Sequence, residues 1–176
     1  MHVTSLDRKK KQWYYAIVRN PTKILGIKDE VIAMKLSTKG RYGLRAFIDL
    51  AVWGEEEPVS LTSIAERQGI SVNYLEQLMA KLKRAGLVNS VRGVNGGYVI
   101  AKPAEEISVG DVLRALEGDL APVECVGIGS NNETTRCNGS SHCVSKIVWK
   151  RINDSINDTV DSIYIGELVK ESKKEQ

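Results

Sequence analysis

The stretch from Ile64 to Gly97, IAERQGISVNYLEQLMAKLKRAGLVNSVRGVNGG, constrains this chain more than any other. It reads as two helices joined by a glycine turn and followed at once by a hairpin. A first helix over Leu61–Gln68 buries Leu61, Ile64 and Ala65, and Gly69 ends it, because a residue free to adopt positive φ permits a sharp reversal. Ser71 caps a second helix over Val72–Ala85 that turns Leu75, Leu78, Met79 and Leu82 inward. Asn73, Tyr74, Glu76, Gln77, Lys81 and Arg84 are left on its other face. After Gly86, Leu87–Val91 alternates like a strand, Arg92-Gly93-Val94-Asn95-Gly96-Gly97 forms a tip, and Tyr98–Ile100 returns. Asn95-Gly96 suggests a type I′ turn.

A helix, a turn and a second helix with amides exposed in its first turns is the helix-turn-helix arrangement, and a basic hairpin directly after it is a wing. Asn and Gln each offer a donor and an acceptor together, which matches the major-groove edge of adenine. Ser71 and Tyr74 can reach phosphate or base, while Lys81, Lys83 and Arg84 suit phosphates. Arg92, on the wing, suits the negative potential of a narrow minor groove.

Upstream, a helix is expected from Ser37 or Thr38 to Gly54, with Leu44, Phe47, Ile48, Ala51 and Val52 inward. Lys39, Arg41 and Arg45 lie on another face, which could rest on DNA backbone. Residues 1–33 lack sustained periodicity and are read as a leader, with the true start at Met34. Downstream, Ser108 and Asp111 are placed for a capping box at the start of a helix over Val109–Glu117. Residues 119–142 form a Gly-, Asn- and Ser-rich loop longer than compact domains tolerate without a purpose. A long helix follows with the apolar stripe Val144, Ile147, Val148, Ile152, Ile156, Val160 and Ile163. A stripe of that length is most simply covered by a second copy, and two-fold pairing sets two reading helices about 34 Å apart, over a palindromic site. Tyr164–Val169 is read as a final short helix, and residues 171–176 as a disordered tail.

Charge agrees with this layout. Residues 1–33 carry +4, 34–102 carry +4 and 103–176 carry −5, a basic front and an acidic rear. No apolar run approaches the roughly 20 residues that span a bilayer and no signal-peptide pattern occurs, so a cytoplasmic protein is expected. Neither a Gly-rich phosphate loop nor a catalytic constellation is present, which argues against an enzyme.

The chain holds 3 Cys, an odd number that does not suit a disulfide framework. Cys125, Cys137 and Cys143 all fall in or beside the long loop, with eleven and five residues between them. The residues alone leave three readings open: free thiols, an iron-sulfur cluster, or zinc with His142 as the only nearby imidazole.

The motifs Met34-Lys35-Leu36-Ser37-Thr38-Lys39-Gly40-Arg41-Tyr42, Ile64-Ala65-Glu66-Arg67-Gln68-Gly69-Ile70-Ser71, Tyr74-Leu75-Glu76-Gln77 and Arg92-Gly93-x-x-Gly96-Gly97-Tyr98 resemble those of the IscR-like winged-helix regulators, over residues 34–170. That resemblance implies a mainly α (α+β) fold with a winged helix-turn-helix domain over 34–118, a cluster-binding loop over 119–142 and a dimerisation arm over 143–170. It implies a homodimeric repressor on double-stranded DNA that controls iron-sulfur assembly genes through a 2Fe-2S cluster. Ser71, Asn73, Tyr74 and Gln77 would then touch the major groove and Arg92 the minor groove. Glu76 falls where relatives carry a glutamate that disfavours one class of operator until the cofactor is bound, so ordering of the loop by the cluster is expected to change how Glu76 is presented. The three Cys correspond to cluster ligands, but Lys146 stands where relatives place a fourth, histidine ligand. His142 is the candidate in its stead, with Glu124 or Glu133 as oxygen alternatives. A nitric-oxide-sensing branch of the same family takes a ligand from the place that Arg41 occupies here, and Arg41 cannot coordinate. A cluster-carrying electron-transfer protein is the reading from a different class.

Overall fold

A computed structural model describes residues 37–127 and 143–174; the leader expected over 1–33, Cys137, His142 and Glu133 lie outside the described residues. Ser37 is extended and its hydroxyl accepts the Lys39 N–H, which starts α1 (Thr38–Trp53); Gly54 ends it by donating to the Leu50 carbonyl at 2.8 Å. The buried stripe of α1 is Gly40, Gly43, Ala46, Phe47, Asp49, Leu50 and Ala51, whereas Leu44, Ile48 and Val52 are half-buried. The helix is therefore rotated from the apolar pattern expected, because two glycines and an aspartate, none of them an apolar signal, belong to its inner face.

Ser60 and Ser71 cap α2 (Leu61–Gln68) and α3 (Val72–Arg84), each accepting a backbone N–H in the first turn. Gly69 sits at φ 64 between them, the left-handed conformation that a side chain would strain. β1 (Val88–Val91) and β2 (Gly97–Ile100) pair antiparallel with Val88 opposite Ile100 and Val91 opposite Gly97. Val59 adds a third edge to this ribbon by exchanging two 2.9 Å hydrogen bonds with Tyr98, so the wing is tied to the segment before α2. The tip departs from the type I′ turn, which needs positive φ at both central residues. Only Gly93 is positive there, at φ 131, and Gly96 N–H closes onto the Gly93 carbonyl at 3.0 Å. Five residues between the strands make room for a wider loop than the two-residue turn that Asn-Gly favours.

A short 3-10 turn (Ala104–Glu106) leads to α4 (Val109–Glu117), whose capping box is complete: Asp111 accepts Ser108 N–H at 2.9 Å and Ser108 Oγ accepts Asp111 N–H at 3.0 Å. After a second 3-10 turn (Glu124–Val126) the described chain resumes at Cys143 and runs into α5 (Ser145–Ser162) and α6 (Ile165–Lys174). Helix α6 continues to Lys174, into the segment expected from residue 171 to be a disordered tail. Lys173 pairs with Glu55 at 2.6 Å and Lys170 with Glu105 at 3.6 Å, and both are exposed pairs of small worth. What holds α6 is Ile165 and Val169, at 0% and 5% exposure.

The core gathers Phe47 and Leu50 from α1, Ile64 from α2, Leu75, Leu78, Met79 and Leu82 from α3, Val88 from β1, Val112 and Leu116 from α4, and Ile165 from α6. Each such side chain contributes roughly 1.5–3 kcal/mol by leaving water. The C-terminal helix therefore belongs to the core of the reading unit, although the chain reaches it only after leaving along α5. Two hydrogen bonds fix that return, Val109 N–H to Ile163 O at 2.8 Å and Ile165 N–H to Ile107 O at 2.9 Å. No residue of α5 is buried.

Candidate nucleic-acid interface

The outward face of α3 is set by the inward one. With Leu75, Leu78, Met79 and Leu82 in the core, helical geometry leaves Asn73, Glu76, Gln77 and Ala80 exposed. The alanine at position 80 keeps the middle of that face low, which lets a helix approach the floor of a groove. Ser71 is exposed at the N-terminus, where its hydroxyl accepts Tyr74 N–H at 3.4 Å.

Tyr74 itself differs from the expectation. Its hydroxyl oxygen is buried with no hydrogen-bond partner, and its ring stands edge-on to Tyr42 of α1 with centroids 6.3 Å apart. Tyr42 is a hub that hydrophobic periodicity did not single out. The Arg41 guanidinium lies 4.7 Å from its ring centroid and donates to its hydroxyl at 2.8 Å, and Arg45 lies 5.6 Å from the same ring. Lys39 and Arg41 are exposed at the start of α1. Arg45 is turned to α2, donating to Gln68 Oε1 at 3.2 Å and to the Gln68 carbonyl at 3.0 Å.

Below that layer, Asp49 is the polar anchor of the unit. Its side chain is 3% exposed. It accepts Gln68 Nε2 at 2.6 Å and Arg67 Nε at 3.0 Å and Nη2 at 2.5 Å. Arg67 also lies over Trp53. A buried carboxylate so placed is satisfied on several sides and fixes the angle between α1 and α2.

At the far end of α3 the basic residues divide. Lys81 donates to the Leu116 carbonyl at 2.7 Å and Lys83 to Ser90 Oγ at 2.5 Å, so Lys81 holds α4 rather than lying free for phosphate. Arg84 is exposed. On the wing Arg92 is exposed beside Val94, an apolar side chain standing fully in solvent at the tip.

Two of the three thiols are described. Cys125 lies in the turn Glu124–Val126 that rests on α5, where Asn153 Nδ2 donates to the Val126 carbonyl at 3.4 Å. Cys143 precedes α5 with its Sγ 3.0 Å from Ser145 Oγ. The Ser145 hydroxyl holds the Cys143 thiol below its ordinary value, helped by the Lys146 backbone. That favours thiolate, the form that binds soft metals. Lys146 is in the first turn of α5. Among the described residues no three His, Cys, Asp or Glu side chains are grouped to hold a metal.

The sequence matches the model of the Rrf2 family, described as iron-dependent transcriptional regulator, over residues 36–171. The chain belongs to the Rrf2 family. Among relatives, the HTH-type transcriptional regulator IscR of Vibrio campbellii is 41% identical over 140 residues, 80% of each chain. IscR of Escherichia coli is 41% identical over 136 residues, covering 77% of this chain and 80% of that one. Of solved structures, T. potens IscR superposes with a TM-score of 0.65 at 43% identity, covering 82% of this chain and 93% of that one. CymR, the global cysteine regulator of B. subtilis, gives 0.62 at 40% identity, covering 78% of this chain and 98% of that one. This Rrf2 member is thus an IscR-type transcriptional regulator with the winged-helix fold of its relatives, and DNA is its target class. No helix among the described residues is long and apolar enough to cross a membrane.

Proposed function

We propose that this Rrf2-family member is a cytoplasmic, homodimeric repressor that reads a palindromic operator and adjusts its DNA choice to iron-sulfur status through a 2Fe-2S cluster. The observation that carries the DNA reading is the exposed row Asn73, Glu76 and Gln77 on a helix whose opposite face is fully buried. Ser71, Asn73 and Gln77 meet base edges and phosphate in the major groove. Glu76 adds an acceptor that disfavours sites with a negative edge or phosphate opposite it. Arg92 follows the wing into the minor groove, and Lys39 and Arg41 meet backbone. Tyr74, edge-on to Tyr42, joins the major-groove contacts when binding draws its hydroxyl outward.

The dimer reading is supported by exposed apolar side chains at the start of α5, with Val144 just before the helix and Ile147 and Val148 in it at 80%, 59% and 56% exposure. A groove lined by Ile152, Ile156 and Val160 continues that face. Patches of that kind on a small protein mark contact surfaces.

The donor chemistry fits an iron-sulfur cluster: Cys125, Cys137 and Cys143 supply thiolates and His142 is the candidate fourth ligand, in place of the histidine whose position Lys146 fills. When bound, the cluster supplies a redox- and iron-responsive group that ties the loop together. The chain's own residues hold it, and the Ser145 hydroxyl stabilises the Cys143 thiolate. The genes the protein controls are, on this reading, those of iron-sulfur assembly; the family description, iron-dependent transcriptional regulator, supports a regulator that answers to iron.

The test combines anaerobic purification, absorption and Mössbauer spectra with selection of binding sites from a random DNA pool. The expected result is a coloured protein with a 2Fe-2S signature that enriches a two-fold symmetric site. A colourless protein after reconstitution refutes the cluster, and an unstructured pool refutes operator reading. His142→Ala is expected to destabilise the cluster more than Lys146→Ala, and equal behaviour removes His142 as ligand.

A further inference from the structure

Helix α4 is nine residues long, and each of its ends sits in a different joint. Near its start Gly110 leaves room for Asp161 of α5, since a methyl group there would overlap the Asp161 carboxylate. One turn on, Arg114 pairs with Asp161 and donates to Asn157 Oδ1 at 3.1 Å. Asn157 donates in turn to the Asn153 carbonyl at 2.9 Å, and Asn153 to Val126, next to Cys125, at 3.4 Å. A continuous set of polar contacts therefore runs from the turn carrying Cys125, along α5, to Arg114.

The other end of α4 holds the reading unit. Glu117 Oε1 accepts Gly40 N–H at 2.7 Å and the Ser37 hydroxyl, so the N-terminus of α1 is capped by a carboxylate from α4. A Cβ at Gly40 would stand 2.7 Å from that oxygen, and one at Gly43 would overlap Leu116. Leu116 offers its carbonyl to Lys81 of α3. Joints of this tightness leave no slack to absorb a shift, and close-packed helices move as bodies rather than deform.

We infer that α4 couples the cysteine-bearing arm to the DNA-reading face, with Arg114 and Glu117, one turn apart in its C-terminal half, as the positioning residues that face the arm and α1 respectively. A shift of α5 or of the Cys125 turn is received at Arg114 and delivered to the start of α1, where Lys39 and Arg41 stand, and to Lys81 of the reading helix. This deepens the sensing role proposed above, and its first test does not depend on that role.

The first test is hydrogen exchange on the cluster-free full-length chain. In Arg114→Met, amides of Lys39–Gly43 are expected to exchange at least about five-fold faster than in the parent, the lower end of typical coupling between sites. Asn157→Ala, a milder change at the same joint, shows the same direction. Asp154→Ala, which removes an exposed pair with Lys150 on α5, leaves them unchanged. Leu87→Ala supplies a core variant of general instability, and its rise is spread over the whole unit. Unchanged exchange at Lys39–Gly43 in both Arg114→Met and Asn157→Ala, or an equally focused rise in Leu87→Ala, overturns the coupling. The second test compares operator affinity with and without cluster. Arg114→Met is expected to reduce the ratio of the two affinities at least about five-fold, and retention of the parent ratio overturns the coupling. A parent ratio of one refutes cluster sensing instead, and the exchange result alone then decides the role of α4.

Discussion

The reading unit and the arm built on α5 are stabilised in opposite ways. In the first, α1, α2 and α3 converge on Phe47, Ile64, Leu75 and Leu78, and the buried Asp49 locks α1 to α2 through Arg67 and Gln68. In the second, no residue of an 18-residue helix is buried; besides the packing of half-buried Val160 against the core, polar contacts at Asn153, Asn157 and Asp161 tie it to the rest of the chain. A surface that must present base-reading side chains in fixed register needs a rigid support. An arm that answers to a partner copy and to a loop needs interfaces left to complete.

Substitutions in the two regions should therefore differ in kind. The largest effect is expected from Asp49→Ala, which strands Arg67 and Gln68. It should cost about 3 kcal/mol, the lower end for breaking a buried pair because Arg67 is partly solvated. Thermal melting should fall by roughly 6–12 °C, and a drop within error would remove Asp49 as the anchor. Ile156→Asp on α5 should change melting far less at high dilution, yet sedimentation should show a monomer with greatly weakened operator binding. A dimer that persists would place the interface elsewhere. Gln77→Ala should leave folding untouched and weaken operator binding by about 1–3 kcal/mol, with relaxed preference at one position of each half-site. Uniform weakening across sequences would make Gln77 a phosphate contact instead.

The smallest effect concerns Cys143. Its thiol is held below the ordinary range by the Ser145 hydroxyl, so in the cluster-free chain its alkylation rate should level off at lower pH than that of free cysteine. Ser145→Ala should move that profile upward in pH, because the hydrogen bond that favours thiolate is gone. An unmoved profile would assign the shift to the start of the helix.

The elements that carry the reading face were legible because their signals are local. Ser71 and Ser108 cap helices where their spacing from apolar runs places them, and Gly69 marks the turn between α2 and α3. What escaped was set by tertiary contact. The inner face of α1 includes Gly40, Gly43 and Asp49, which no hydrophobic count registers. They lie inside because Glu117, Leu116, Arg67 and Gln68 approach from elsewhere in the chain. Tyr74 resembled a groove contact by its position, but the ring of Tyr42 draws it inward. The length of α6 was missed for a similar reason: Ile165 and Val169 find their partners on α1 and beside the segment before α4, not in their own neighbourhood of sequence. The wing was foreseen as a hairpin while its turn was not, because Val59 joins the ribbon and Gly93 takes the positive φ.

The most direct measurement of the account is the affinity of one anaerobic preparation for a selected operator, before and after removal of its cluster. The account predicts an absorbing protein whose affinity changes at least about five-fold between the two states, while both states keep the same melting behaviour of the reading unit. A protein that takes up no cluster, or one that binds the operator with the same affinity in both states, would contradict it.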